Sequence, residues 1–329
     1  MKIKQTIAIL CMLGAAAQVH AMATKEDSQR CIQAPLQMQP EEDGCTGNAC
    51  SRAALVCVPR AWWTANGRDI PAGAHAPLVL VFHGRGNEDI SFIQDADIKA
   101  KIANTPEAGI FAYTRNIHGA MPNAIVVYFQ GLPTKADWTP ELQNPNAPRG
   151  WQVNTNATGS LNSRRDLAYV YKLINTHLIN YVDTQNIFAT GFSNGSRFVG
   201  VLWNDSSTNG LYPHSPLKAV AFNAAQAGNF VKNIQGTDVA GDNLFSNATP
   251  RSILMCMGKQ DQVVEYNTQK LSLPIAKSLL SITQSTDDTV SQDITFNNLR
   301  YKTIIHNGAH DWPLDLEYAI AEFFNSQMQ

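Results

Sequence analysis

The stretch that decides the fold is IFATGFSNGSRF, at residues 187–198. Residues 187–190 form a short apolar run typical of a buried strand, and a helix-compatible segment follows at residues 196–203. Between them lies a G-x-S-x-G sequence with Ser193 at its centre, which predicts a sharp strand-to-helix turn. The flanking glycines let two backbones pass closely, so we expect the Ser193 hydroxyl to project from the end of a sheet.

A G-x-S-x-G sequence also occurs in glycine-rich turns that carry no more than a surface serine. A reactive serine needs a base, an acid that orients the base, and hydrogen-bond donors for the oxyanion. The pattern therefore indicates chemistry only if these partners follow in the chain, in the expected order and at the ends of strands.

Further apolar runs have the length of strands that are buried on both faces. They lie at residues 53–58, 77–82, 124–129, 217–222, 253–257 and 301–305. Helical spacing of apolar residues occurs between them, most clearly at residues 165–182 and 314–324. Strands that alternate with helices predict an α/β fold with a mostly parallel central sheet and helices on both faces.

Composition and charge bound the domain organisation. No repeat or Pro/Gly-rich linker divides the chain, so we expect a single catalytic domain at residues 60–329. Residues 22–59 form a polar, cysteine-rich segment that we expect to pack on this domain. The formal charge of −2, without a long run of one sign, favours neither a nucleic-acid partner nor a membrane-surface partner.

The N-terminus has the pattern of a secretory signal peptide. Lys2 and Lys4 precede an apolar run at residues 7–17, which is too short to insert across a bilayer. Small residues predict cleavage after Ala21, with Ala23 as a second candidate, so the signal occupies residues 1–21. We therefore expect a secreted or periplasmic protein without membrane insertion.

If the protein is exported, its cysteines are expected to form disulfide bonds. Four of them crowd into one short segment: Cys31, Cys45, Cys50 and Cys57. In an oxidising compartment this predicts two disulfides, and the sequence does not choose among the three possible pairings. A zinc site is the competing interpretation, but no histidine lies among the four. Cys256 stands in the apolar run at residues 253–257 and is expected to be a free, buried thiol.

Two histidines compete for the role of base. The last predicted strand runs into His306-Asn307-Gly308-Ala309-His310. His310 follows a flexible Gly-Ala pair and can reach back to Ser193, whereas His306 abuts the strand and is expected to pack.

The acid is expected after the preceding strand. Asp261 follows residues 253–257 after Gly258-Lys259-Gln260, which places it at the carboxyl edge of the sheet, where catalytic groups gather in open α/β sheets. Asp311 and Glu265 are weaker rivals. The resulting order along the chain is serine, aspartate, histidine.

The oxyanion hole is expected from the loop after residues 77–82, which reads His83-Gly84-Arg85-Gly86. The main-chain N–H groups of Gly84 or Arg85 would provide one donor, and the N–H of Asn194 the second. We expect His83 to be structural.

Four segments together resemble a known family. They are LVLVFHGRGN, IFATGFSNGS, MCMGKQDQVVEY and NGAHDWP. From about residue 77 onward the chain resembles the secreted polyhydroxybutyrate depolymerases and feruloyl esterases of the α/β-hydrolase superfamily. The resemblance implies Ser193 as nucleophile, Asp261 as acid and His310 as base. Ser196 and Ala309 stand where the family often has glycine, and both keep a small side chain.

The resemblance implies a secreted serine esterase that needs no metal or cofactor. Its substrates would be small or oligomeric: feruloyl-type or acetyl-type esters, or short hydroxyacyl esters. Trp312, Trp138 and Trp151 are the candidates to line an acyl pocket, because aromatic rings suit such groups. The alternatives are a depolymerase of hydroxyalkanoate polyesters, an inactive binding protein on a hydrolase scaffold, and a peptidase.

Overall fold

A sheet of nine strands forms the centre of the computed structural model. The structure describes residues 31–38, 51–64, 67–86, 117–134, 147–151, 153, 165–207, 217–225, 230–232, 238–240, 249–283 and 287–328. The strands are β1 Cys31–Gln37, β2 Ser51–Cys57, β3 Ala76–Phe82, β4 Ile125–Phe129, β5 Val182–Phe192, β6 Ala219–Asn223, β7 Ser252–Gly258, β8 Gln292–Phe296 and β9 Leu299–His306. Their order across the sheet is β1-β2-β4-β3-β5-β6-β7-β9-β8.

The central strands β4, β3, β5, β6, β7 and β9 are parallel to one another. Antiparallel pairs involving β1, β2 and β8 lie towards the two edges. Every residue of β4, β6 and β7 is buried, as expected for strands that are covered on both faces. The predicted mostly parallel sheet is confirmed.

Helices cover both faces of this sheet. Those of the described residues are α1 Ile117–Ala120, α2 Arg165–Leu173, α3 Asn194–Ser207, α4 Tyr266–Lys270, α5 Ser272–Leu279 and α6 Leu314–Asn325. Side chains of α2, α3 and α5 join one hydrophobic core, and side chains of α1 and α6 join another. Alternate residues of β3 enter the two cores, so the cores lie on opposite faces. None of the described helices is long and apolar enough to cross a membrane.

Shorter elements complete the described structure. A π-helix at Ile174–Leu178 and a 3₁₀-helix at Ile179–Tyr181 follow α2, and a further 3₁₀-helix spans Arg60–Trp62. Three two-stranded ribbons pair Trp63–Thr64 with Gly67–Arg68, Leu132–Pro133 with Arg149–Gly150, and Phe230–Lys232 with Asp238–Ala240.

The helix predicted at residues 165–182 is shorter than the sequence pattern suggests. Its α-helical part is Arg165–Leu173, after which the turns widen and then tighten. Ile179 and Tyr181 are exposed, so the last turns bury little apolar surface against the sheet. β5 then begins at Val182, well before the start predicted from the apolar run.

Two strands of the central sheet were not predicted. β1 lies within residues 22–59, for which the sequence indicated only a polar, cysteine-rich segment. It pairs residue by residue with β2. β8 forms an antiparallel hairpin with β9. Two strands of residues 22–59 therefore belong to the central sheet itself. The predicted signal peptide lies outside the described residues.

The cysteines of β1 and β2 form a disulfide. Cys31 and Cys57 stand directly opposite each other in the two strands and are bonded, with a sequence separation of 26. Cys45 and Cys50 lie outside the described residues, so the second predicted disulfide stays a prediction. Cys256 is free and buried, as predicted. Burial raises the pKa of its thiol to about 12, which leaves the thiol protonated at neutral pH.

The Cys31→Ser/Cys57→Ser variant should be less stable than the wild type by about 3.5 kcal/mol. This is the chain-entropy value for a loop of roughly 26 residues that is open in the variant and closed in the wild type. Urea unfolding without reductant measures the difference. Peptide mapping by mass spectrometry that linked Cys31 to a cysteine other than Cys57 would contradict the pairing.

Candidate active site

Ser193 occupies the turn between β5 and α3. Its φ angle of 51° lies in the left-handed region, which non-glycine residues seldom adopt and which is common at functional turns. The Ser193 N–H donates to the carbonyl of Asn223 at 2.9 Å, and its carbonyl accepts from the Arg197 N–H at 3.2 Å. The strained residue is thus held by β6 on one side and by the first turn of α3 on the other.

Two glycines make this turn possible. A Cβ atom at Gly191 would lie 2.5 Å from the carbonyl carbon of Gly195. A Cβ atom at Gly195 would overlap the carbonyl oxygens of both Phe82 and His83. The backbone of the turn therefore runs directly against the end of β3, which only glycine allows.

Ser196 has a structural role in this turn. It stands where the family that the sequence resembles often has a second glycine. Its hydroxyl donates to the Gly191 carbonyl and accepts from the Asn223 N–H, at 2.8 Å in the second case. The side chain is completely buried. The serine therefore links the turn to the carboxyl end of β6.

Asp261 and His310 are hydrogen-bonded to each other. Asp261 lies just after β7, and its Oδ2 atom is 2.8 Å from the Nδ1 atom of His310. Oδ1 accepts from the main-chain N–H groups of Val263 and Val264, at 2.9 and 2.8 Å, and Oδ2 also accepts from Gln269 Nε2 at 2.9 Å. The buried carboxylate thus meets four donors, which hold it in one orientation towards the imidazole.

His310, rather than His306, faces the turn. The His310 ring packs on Phe192, the residue before Ser193, with 4.8 Å between ring centroids. His306 instead accepts a hydrogen bond at Nδ1 from the Gly308 N–H at 3.1 Å, within its own loop. The rival acids, Asp311 and Glu265, are both exposed, whereas the Asp261 side chain is buried.

The loop after β3 lies against the serine. A Cβ atom at Gly84 would be 2.8 Å from the Phe192 ring and 3.4 Å from the Cβ atom of Ser193. Asn194 is the first residue of α3 and is buried. The structure therefore brings Gly84 and Asn194 together around Ser193, with Arg85 following in the same loop.

His83 is buried, in keeping with the structural role expected of it. Its Nε2 atom accepts from the Gly131 N–H at 2.9 Å, so the neutral ring carries its proton on Nδ1. Nδ1 contacts the Gly84 carbonyl and donates to it. The ring thereby holds the peptide between Gly84 and Arg85, the second of the loop.

The structure places the three tryptophans predicted to line an acyl pocket in different surroundings. Trp151 has no exposed surface and packs against Phe198 and Phe82. It therefore has a structural role and does not line an acyl pocket as the sequence predicted. Trp138 lies outside the described residues. Trp312 is 6% exposed, with its ring 6.1 Å from that of Phe192. Its indole N–H is buried and has no hydrogen-bond partner within the described part of the chain.

Sequence reasoning missed two groups at the site. One is Gln269, a completely buried side chain on α4 that donates to Asp261. The other is the pairing of the Asn194 side chain with the main chain of Trp151. No motif marks either position, because each contact joins segments that are distant in the chain.

Comparison with solved structures shows the class of fold. A ferulic acid esterase of family CE1 from Anaeromyces mucronatus, solved with ferulic acid, aligns with a TM-score of 0.53 and 13% identity over 91% of this chain and 92% of its own. A bifunctional GH43-CE protein from Bacteroides eggerthii aligns at 0.51 and 14% identity over 92% of this chain and 38% of its own. An acetyl xylan esterase from Aspergillus awamori gives 0.49 and 12% identity over 89% and 99%.

The first two of these structures align at TM-scores above 0.5 over most of the present chain, and the present chain has the α/β-hydrolase fold. Identities this low establish the fold and leave the reaction to be argued from the site. No protein-family model matches the sequence, and no curated protein matches it.

Gly195→Ala should destabilise the protein by about 3 kcal/mol, because its methyl group meets two backbone carbonyls that cannot move aside easily. Gly86→Ala is the matched control, since a Cβ atom there has no neighbour within 4 Å. Its unfolding free energy should change by less than about 1 kcal/mol. Urea denaturation of both variants measures the difference, and equal midpoints would contradict the close approach.

Proposed function

We propose that the protein is a secreted or periplasmic serine carboxylic-ester hydrolase that works through an acyl-enzyme. The observation that carries the proposal is the Asp261–His310 hydrogen bond of 2.8 Å, formed at the edge of the sheet where Ser193 occupies its strained turn. An acid, a base and a serine at one edge, in this chain order, match the requirements of nucleophilic acyl transfer.

Asp261 sets the state of the base. When the His310 imidazole is neutral and its Nδ1–H donates to this carboxylate, Nε2 is the atom that can accept a proton. His310 removes the proton of the Ser193 hydroxyl through Nε2 while the serine oxygen attacks the ester carbonyl. Asp261 stabilises the imidazolium that forms and keeps its own charge.

The negative charge of the tetrahedral intermediate falls between the loop after β3 and the start of α3. The N–H groups of Gly84 or Arg85 donate to this oxygen from one side, and the N–H of Asn194 donates from the other. The helix dipole of α3 adds positive potential at the same point, since Asn194 is its first residue.

The intermediate collapses when the ester C–O bond breaks and the alcohol takes the proton from His310 Nε2. The acyl group then remains on the Ser193 oxygen. A water molecule gives a proton to His310 and attacks the acyl carbonyl, and a second collapse returns the proton to Ser193 and releases the acid.

For the substrate, we propose small or oligomeric esters with a feruloyl, acetyl or short hydroxyacyl group. Trp312 lies beside Phe192, which carries the His310 ring on its face, so aromatic surface adjoins the catalytic groups. The CE1 neighbour was solved with ferulic acid. The second candidate is hydrolysis of hydroxyalkanoate oligomers or polyesters, because the four sequence motifs resemble polyhydroxybutyrate depolymerases as well as feruloyl esterases.

The proposed compartment and processing rest on two features. The basic and apolar N-terminus supports removal of residues 1–21, and the Cys31–Cys57 disulfide supports an oxidising environment. The mature chain would then comprise the cysteine-rich segment at 22–59, which contributes β1 and β2, and the catalytic domain at 60–329.

Ser193→Ala and His310→Ala should each lower kcat for p-nitrophenyl acetate by a factor on the order of 10⁶, because triad members act as a unit. His306→Ala is the control, and its activity should stay within about tenfold of the wild type. A fluorophosphonate probe should label the wild type at Ser193 and leave Ser193→Ala unlabelled. A wild-type chain that neither turns over esters nor reacts with the probe would instead be an inactive binding protein.

Trp312→Phe should lower kcat/KM for methyl ferulate about tenfold more than for p-nitrophenyl acetate, because one apolar contact is worth about 1–3 kcal/mol of discrimination. Trp62→Phe is the control: Trp62 is equally buried, at 6% exposed, but belongs to the core on the other face. Steady-state kinetics on ferulate, acetate, butyrate and hydroxybutyrate oligomers provide the measurement. Equal losses on all esters would remove Trp312 from the acyl site.

A further inference from the structure

Main-chain donors in a loop need something to hold their direction. The loop of Gly84 and Arg85 leaves the central sheet at Phe82 and is next paired at Gly86, which bridges to Arg149, so strand pairing does not fix the peptide between His83 and Gly84. A peptide that rotates would turn its N–H away from the oxyanion, and most of the benefit of such a donor comes from its being oriented beforehand. The described contacts around this loop show what orients it.

Trp151 holds the first of these peptides. Its indole Nε1–H donates to the His83 carbonyl at 2.8 Å. In a trans peptide the C=O and the following N–H point in opposite directions, and the described residues contain no cis peptide bond. The bond from Trp151 therefore sets the direction of the Gly84 N–H.

The main chain of Trp151 holds the second donor. Its N–H donates to Asn194 Oδ1 at 2.6 Å, and its carbonyl accepts from Asn194 Nδ2 at 3.2 Å. This two-way pairing fixes the side chain of Asn194, whose own N–H is the second proposed oxyanion donor. One buried tryptophan thus contacts both sides of the proposed oxyanion hole.

Packing leaves the Trp151 ring in one position. It stacks on Phe198 with centroids 5.2 Å apart, and it meets Phe82 edge-on at 5.1 Å. The His83 ring is also 5.1 Å away. Because the side chain has no exposed surface, the indole N–H cannot turn to water as an alternative partner.

We propose that Trp151 is the positioning residue of the oxyanion hole, orienting the Gly84 N–H through its indole and the Asn194 N–H through its main chain. The inference rests on the proposed function and deepens it. Trp151 touches no reacting atom, so its removal should change the stabilisation of the tetrahedral state more than the binding of the ester.

The test is Trp151→Phe, which removes the indole N–H and keeps an aromatic ring against Phe198 and Phe82. We expect kcat to fall about 10- to 100-fold, a part of the loss seen when an oxyanion donor is deleted. KM should stay within about threefold. Replacement of Trp151 by benzothienylalanine, which has sulfur in place of the N–H group and nearly the same shape, should give the same result.

Trp203→Phe is the matched control. Trp203 is also completely buried, and its Nε1–H donates to a main-chain carbonyl, that of Thr249, at 3.0 Å. It belongs to α3 and packs near Phe222, away from the loop after β3. The Trp203→Phe variant should lose about as much stability in urea unfolding as Trp151→Phe does, and it should keep its kcat within about threefold of the wild type.

A second readout separates positioning from general damage. The preference for an oxoester over the matched thionoester depends on the donors that face the carbonyl oxygen, so this kcat/KM ratio should fall at least about fivefold in Trp151→Phe. It should be unchanged in Trp203→Phe. Asn194→Ala, which keeps its N–H group and loses the side-chain pairing, should lower the ratio as well.

The outcomes are distinguishable from those of the proposed function. If the wild type hydrolyses esters but Trp151→Phe matches Trp203→Phe in kcat and in the ratio, Trp151 has only a packing role and the inference is overturned. If the wild type shows no ester turnover and no fluorophosphonate labelling, the proposed function itself fails.

Discussion

The site depends on the contact between Gly195 and the end of β3. The carbonyl oxygens of Phe82 and His83 occupy the space that any side chain at Gly195 would need. Because β3 and β5 are parallel neighbours, this contact places the loop that leaves β3 beside the serine that follows β5. The proposed oxyanion donors and the proposed nucleophile are therefore brought together by the backbone before any side chain acts.

The central sheet could be predicted because its strands are buried on both faces and appear as continuous apolar runs. β3, β4 and β7 match their predicted bounds closely. β8 could not be found this way, since its residues are half-buried or exposed and give no apolar run. β1 could not be predicted for a different reason. It is held in the sheet by its pairing with β2 and by the Cys31–Cys57 disulfide, and neither contact can be read from the residues of β1 alone.

The placement of the candidate catalytic residues could also be anticipated, since Ser193, Asp261 and His310 each follow a strand, and the carboxyl ends of parallel strands meet at one edge. Their supporting contacts could not. Trp151 is an aromatic residue in a polar stretch of sequence. That pattern fits a residue that lines a ligand pocket and a residue that packs in the core equally well. Only its burial, and the bonds it makes to His83 and Asn194, separate the two roles.

Hydrogen bonds between neighbouring strand ends tie the serine to the acid. The Ser193 N–H binds the Asn223 carbonyl at the end of β6, and the next residue, Ala224, donates to the Cys256 carbonyl in β7. Asp261 lies in the turn just after that strand, which ends at Gly258. The spacing between the proposed nucleophile and the proposed acid is thus a property of sheet register, so an insertion in the connection from β6 to β7 should not move the two side chains apart. Such a sheet would keep the candidate site fixed while the connections around it change in the course of evolution.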